Sequence, residues 1–558
     1  MVWRPYKSCA AAVGVLALSF SWAHAEDELP TVAEVLGDPD EAAINPEQVE
    51  ADGAVIGEII INNQNIFDLE NPEEDKWLYR WANRLHMVTK PKVIQSQLLF
   101  KEGDEYSLRE TEESERILRL NPYLIDADIK PVSYDDGVVD LEVTTNDVWT
   151  LTPEVSLNRS GGETEWGLGL LEKNLFGRGI QVGGQYKRTI DRDILFLEYT
   201  DTNFLMDQYR FSVNYSNNSD GFFRRVEFGK PFYALDRRRA GRLWYSEGEL
   251  ITELYSLGDV VAEFNQDFTY HEAFAGFSKG LQNGWVRRYS MGVAYDKDEF
   301  GPGEDPTLPV TIIPEDREFL YPFFQFELVQ DKYETTTNFD QIELTEDRFV
   351  GTWFNARIGY SHESAVSSDD AWHFFLGYNN TLVNTANTSL TLNATALGRH
   401  EEGVFENATF NAVARFHQRL TEKQLFYVSV SGTAGENLDL DNPIYLGGDT
   451  GLRGYPLRYQ NGESKALVTL EHRLFTDWYP WRLFRVGAAV FFDAGRVWGE
   501  SPVGAENLGI LKDVGFGLRL GSTRLGNAKV FHIDIAFPLD GDEDIDSVQI
   551  LFSGKGSF

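Results

Sequence analysis

From about residue 150 to its end the chain repeats one pattern: short segments in which apolar side chains alternate with small, polar or charged ones. The last segments are the clearest. In 528–539, Phe531, Ile533, Ile535, Phe537 and Leu539 share one face, and Val530, His532, Asp534 and Ala536 the other. In 513–521, Val514, Phe516, Leu518 and Leu520 oppose Gly515, Gly517, Arg519 and Gly521. In 485–497, Val486, Ala488, Val490 and Phe492 oppose Gly487, Ala489, Phe491, Asp493 and Gly495. A period of two with one apolar face is a β-strand that is apolar on one side only. A soluble sandwich turns that face inward, whereas a membrane barrel turns it to lipid and keeps a polar lumen. Length separates the two. The repeat runs through some 400 residues, in segments that suit a tilted membrane strand of ~9–11 residues, and a soluble sandwich that long would split into domains. Close to twenty candidate segments can be marked.

The N-terminal part has a different character. Residues 1–25 read as a signal peptide: Arg4 and Lys7, a short apolar run, then Ala23-His24-Ala25 as a cleavage site. The only cysteine, Cys9, lies inside it, so no disulfide framework is expected after cleavage. No later run is apolar enough for a membrane helix. The net charge of −38 argues against nucleic acid as a partner. Residues 26–53 are acidic and proline-bearing, and are expected to form a flexible leader. Residues 54–147 read β-α-α-β-β, with strands at 55–61, 125–132 and 138–143 and helical spacing at 77–85, 92–99 and 108–120. Asp135-Asp136-Gly137 is a hairpin signal between the last two strands.

Two glycine-rich phrases interrupt the alternation. One is Glu172-Lys-Asn-Leu-Phe-Gly-Arg-Gly179, with Asn174, Phe176, Gly177 and Gly179, between the second and third strands. The other is 445–456, YLGGDTGLRGYP, which carries Arg453, Gly454 and Tyr455 with five strands still to come. These phrases, the small α/β segment and a terminal strand ending in Phe558 together resemble the BamA/TamA outer-membrane assembly superfamily, also called the bacterial surface antigen family. The resemblance covers about nine-tenths of the chain. It implies a mainly β fold: a 16-stranded transmembrane antiparallel β-barrel over 148–558, preceded by one small α/β POTRA domain in the periplasm. In such proteins a long extracellular loop folds back into the lumen and its arginine pairs with acids on the following strands. Here those would be Glu471 and Asp493. Placing either acid inward leaves a mainly apolar outer face on its strand, with His472 the one polar exception.

The resemblance also implies a seam at which the first strand meets the last. Gly554 and Gly556 free the backbone of the closing strand near Phe552, and a crosslink between Val155 and Ile550 is expected to span it. A weakly paired seam offers an edge that can template an incoming strand. The small domain is expected to bind extended chains at a sheet edge, taken at Val139 and Leu141. No H-E-x-x-H, paired C-x-x-C or G-x-S-x-G motif is present, so no enzyme and no cofactor are expected. The expected partners are the outer-membrane bilayer, unfolded or extended polypeptide clients, and periplasmic or assembly-complex proteins. The expected function is insertion or translocation of polypeptides at the bacterial outer membrane. A two-partner-secretion-type transporter and a passive pore are the alternatives.

Overall fold

The computed structural model describes residues 44–72, 75–308, 312–342, 345–522, 530–542 and 545–555. They fall into two compact units that part between Asp147 and Val148. The signal peptide, most of the leader, Gly556 and Phe558 lie outside the described residues.

The smaller unit contains α1 (Pro46–Ala51), β1 (Val55–Gln64), α2 (Trp77–Leu85), α3 (Pro91–Gln95), α4 (Leu108–Arg119), β2 (Leu124–Asp135) and β3 (Val138–Asp147). The sheet order is β1-β3-β2, with β1 parallel and β2 antiparallel to β3. The β2–β3 turn rests on Asp136 and Gly137, with φ of 47° and 77°. Two left-handed residues make the mirror-type turn that matches strand twist. In β3, Val139, Leu141 and Val143 are fully buried. Helix α4 buries Leu118, and its Glu115 Oε1 accepts Ile129 N at 2.7 Å.

Two expectations are corrected here. The last part of the expected leader, 44–53, is ordered: Asn45 caps α1, Val49 is buried, and Glu50 Oε1 accepts Leu108 N at 3.0 Å. One apolar side chain per turn was enough to dock a helix that its charge had hidden. Val139 and Leu141 are not edge positions either. They lie on the central strand, and the edges belong to β1 and β2.

The larger unit is a closed antiparallel barrel of twenty strands. Its first ten are β4 (Leu151–Ser160), β5 (Glu163–Leu175), β6 (Ile180–Arg188), β7 (Asp193–Phe204), β8 (Tyr209–Asn218), β9 (Gly221–Lys230), β10 (Arg239–Ser256), β11 (Asp259–Gln282), β12 (Trp285–Pro302) and β13 (Arg317–Gln330). A side hairpin follows, β14 (Tyr333–Thr336) with β15 (Glu346–Phe349). The wall resumes with β16 (Thr352–Ser361), β17 (Ala371–Asn384), β18 (Thr388–Glu401), β19 (Val404–Thr421) and β20 (Gln424–Glu436). A second inserted pair is β21 (Ile444–Leu446) and β22 (Gln460–Gly462). The wall ends with β23 (Ser464–Phe475), β24 (Phe484–Trp498), β25 (Leu511–Ser522), β26 (Val530–Pro538) and β27 (Gln549–Lys555).

Each wall strand pairs with its sequence neighbours, and β27 closes on β4. This corrects the expected sixteen strands to twenty. The lower count came from the resemblance; the alternation itself marks close to twenty segments. An even number also puts the start of β4 and the end of β27 at one rim, here the entry rim. β10, β11 and β12 have 18, 24 and 18 residues, longer than a membrane crossing needs.

The surface inverts that of a soluble protein. Leu168, Leu170, Leu195, Leu197, Phe516 and Leu518 are exposed outside, while Gln185, Asn214, Asn355, Arg519 and Asp534 are buried inside. An apolar exterior around a polar interior is what a bilayer selects. Among the described residues no helix is long and apolar enough to cross a membrane.

Candidate functional site

The loop between β20 and β23, residues 437–463, turns back into the lumen. Gly451 makes this possible with a φ of 116°, open to glycine and strained for other residues. Leu446, Leu452, Tyr455 and Tyr459 then pack with Val497 and Leu511 of the wall. Gly454 is a close approach: a Cβ there would stand 2.6 Å from the Asp513 Cβ.

That approach carries Arg453 into a cluster of acids. Its Nε and Nη2 donate to the two oxygens of Asp493 at 2.7 and 3.0 Å, and Nη1 donates to Glu471 Oε1 at 2.7 Å. The guanidinium lies over the Phe491 ring, 3.4 Å from its centroid. Arg453, Glu471 and Asp493 are all buried. The planar fork suits two carboxylates at once, which a lysine would not. The loop backbone is held as well: Gly454 N donates to Asp513 Oδ2 at 3.0 Å, and the Tyr455 hydroxyl donates to Lys512 O at 2.8 Å.

Sequence reasoning found this arginine and two of its acids but missed their surroundings. Asp534 lies 4.0 Å from Arg453 and pairs with Arg519, and Arg473 donates to Glu471 Oε2 at 2.9 Å. The cluster thus sets Arg453, Arg473 and Arg519 against Glu471, Asp493, Asp513 and Asp534. All seven are buried. Inward parity on β23–β26 was the signal that would have found them.

The loop has further anchors across the lumen. Arg458 grips Asp191, in the β6–β7 turn, at 2.7 and 2.8 Å. Leu257 N, in the β10–β11 turn, donates to Tyr459 O at 3.0 Å. Asp439 accepts from Arg399 of β18 at 2.8 and 3.1 Å, and Asp441 from Arg317 of β13 at 2.9 Å. The loop therefore crosses the barrel mouth opposite the entry rim.

A second insertion, absent from the sequence reading, enters from the entry rim. Beyond β14 the chain carries Phe339 against His417 of β19, with ring centroids 4.0 Å apart. Ile342 then buries itself among Leu425, Phe475, Ala489 and Val530, on strands across the lumen from β13 and β16. Arg348 lies over the Phe339 ring at 3.4 Å.

The early motif is a tight turn at the entry rim. Asn174 is buried, its Oδ1 accepts Gly179 N at 2.7 Å and its carbonyl accepts Gly177 N at 2.8 Å. Phe176, Gly177 and Gly179 have φ of 58°, 67° and 71°, and the Phe176 side chain projects outward. The next turn at this rim repeats the design: Asn203 Oδ1 accepts Gln208 N at 2.9 Å, and Leu205 projects at a φ of 61°.

Among the described residues, seven residue pairs join β27 to β26 and ten join β4 to β5, and one pair, Phe552 opposite Arg159, joins β27 to β4. That register puts Gly554 opposite Leu157 and Ile550 opposite Gly161. Val155 is then six residues (161 − 155) from the partner of Ile550, so the expected crosslink pair is out of register.

No protein-family model and no curated protein matches the sequence. Among solved structures, CdiB from Escherichia coli is similar over 89% of this chain and 76% of its own, at 12% identity and a TM-score of 0.47. CdiB from Acinetobacter baumannii matches 90% of this chain and 74% of its own, at 12% identity and 0.44. BamA from Haemophilus ducreyi lacking POTRA domains 1–3 matches 89% and 85%, at 14% identity and 0.36.

Proposed function

We propose that this chain is a member of the BamA/TamA superfamily that inserts polypeptides into the bacterial outer membrane, or moves them across it, using the β4/β27 seam. The observation that carries the reading is the contrast, among the described residues, between that seam, joined by one residue pair, and the seven and ten pairs that join its two strands to β26 and β5. A locally unpaired edge facing lipid templates a strand, and the buried Arg453 cluster on β23–β26 keeps the rest of the wall rigid while the edge opens. The small unit acts as a POTRA-like periplasmic module, taking extended clients along an edge of its three-stranded sheet.

The passive-pore alternative is disfavoured by the lumen itself, entered from one mouth by loop 437–463 and from the other by residues 337–342. The secretion-transporter alternative shares the seam and differs in serving one client. Depleting the protein and comparing outer-membrane proteomes tests the proposal. Loss of several barrel proteins supports it, loss of one secreted protein favours the transporter, and an unchanged proteome overturns both.

A further inference from the structure

The stretch between β1 and α3 carries a helix whose apolar side no described part of the small unit covers. Helix α2 turns Tyr79 and Asn83 inward. Tyr79 stacks on Phe67 with ring centroids 4.2 Å apart. Asn83 Nδ2 donates to Phe67 O at 2.7 Å, and its Oδ1 accepts Phe67 N at 3.1 Å. At 3.6 residues per turn the opposite side holds Trp77, Leu78, Trp81 and Leu85. Trp77 is 79% and Trp81 55% exposed, and Met87 and Val88 extend the apolar surface past the helix. Two exposed tryptophans one turn apart are costly in water.

The charge around them is as unusual. Residues 76–92 hold Lys76, Arg80, Arg84, Lys90 and Lys92, all exposed, and no acid, in a chain of net charge −38. Arg80 is engaged by Asp75 at 2.6 Å. The end of this stretch is tied to the end of β3: Asp147 Oδ2 accepts Thr89 N at 2.7 Å and Thr89 Oγ1 at 3.0 Å, and His86 Nε2 lies 2.8 Å from it. An apolar, tryptophan-bearing helix face flanked by bases is the pattern of a helix lying in a membrane interface, and the bases suit anionic phospholipid.

We propose that α2 and residues 86–92 are a membrane-docking surface. Trp77, Trp81 and Leu85 insert at headgroup level, and Lys76, Arg84, Lys90 and Lys92 meet anionic headgroups. The anchor fixes the small unit against the bilayer that the barrel crosses, which limits where a client strand is delivered. The inference rests on the barrel being membrane-spanning.

The test uses the full chain in a Cys9→Ser background, reconstituted in vesicles of phosphatidylcholine with or without phosphatidylglycerol. Spin labels are placed singly through Trp81→Cys, Leu85→Cys, Leu120→Cys (exposed elsewhere on the small unit) and Leu376→Cys (exposed on the barrel exterior). Collision with oxygen, compared with a water-soluble nickel chelate, reads lipid exposure. Labels at 81 and 85 are expected to match 376 and differ from 120. With phosphatidylglycerol present, Arg84→Gln or Lys90→Gln is expected to lower the lipid-exposed to water-exposed ratio about fivefold per base removed. Equal behaviour at 81, 85 and 120 overturns the inference, as does spin–spin broadening from a second copy. Insensitivity to both lipid charge and these substitutions overturns the assignment to anionic lipid. If the label at 376 is itself water-exposed, the membrane-spanning reading fails, and the inference with it.

Discussion

Replacing Arg453 with alanine probes the lumenal loop most directly. The substitution removes three hydrogen bonds to Asp493 and Glu471 and the contact with Phe491. Removing one partner of a buried ion pair costs ~3–5 kcal/mol, because the other charge is left buried without it. Here the lower end applies. Glu471 keeps Arg473 at 2.9 Å, and Asp493 keeps the Thr469 hydroxyl at 2.7 Å. A loss of about 3 kcal/mol raises the population of the released loop about a hundredfold. Limited proteolysis of the folded barrel reads this population, since cleavage tracks the open fraction when reclosing is fast. Cuts within 437–463 are expected to accelerate about a hundredfold, with the temperature of gel-shift unfolding lowered. Asp493→Ala is expected to act similarly, and the double variant to fall short of the sum because the residues are in contact. Wild-type cleavage rates in both single variants, or strict additivity, would refute the reasoning.

Two further predictions follow from the same geometry. Deleting either 337–345 or 437–463 is expected to leave low conductance in planar bilayers, because the other insertion still enters the lumen, whereas deleting both opens a steady channel; high conductance after one deletion would contradict this. Photocrosslinkers at Val132, exposed on edge strand β2, are expected to capture extended polypeptides, and those at the fully buried Leu141 to capture none.

Much of the barrel could be read from the chain because lipid on one side and a polar lumen on the other impose a strict period of two. The sidedness of β24, β25 and β26 follows directly from Val490, Phe516 and Ile533 alternating with Asp493, Arg519 and Asp534. The pairing of Arg453 with Glu471 and Asp493 came from the family resemblance, and parity added only that either acid can face inward while its strand keeps a mainly apolar outer face. The hairpin β14–β15 escaped because a segment that plugs a lumen has no repeating face. Ile342 lies in a short mixed stretch with Phe339 and Leu344, and only closure of the wall gives it neighbours. The register of the seam was also out of reach, since it depends on the shear with which twenty strands close, a property of no single segment. The leader misled because charge density is a poor guide where one residue, Val49, suffices to dock a short helix.

The central claim is that the seam between the first and last wall strands must open. Arg159 and Phe552 stand opposite each other across it. Arg159→Cys with Phe552→Cys, in a Cys9→Ser background, allows a disulfide there to be formed and reduced in living cells. The account predicts that the oxidised protein still folds but no longer restores the outer-membrane proteome of a depleted strain, and that reductant recovers it. Full restoration with the seam quantitatively crosslinked would contradict the account.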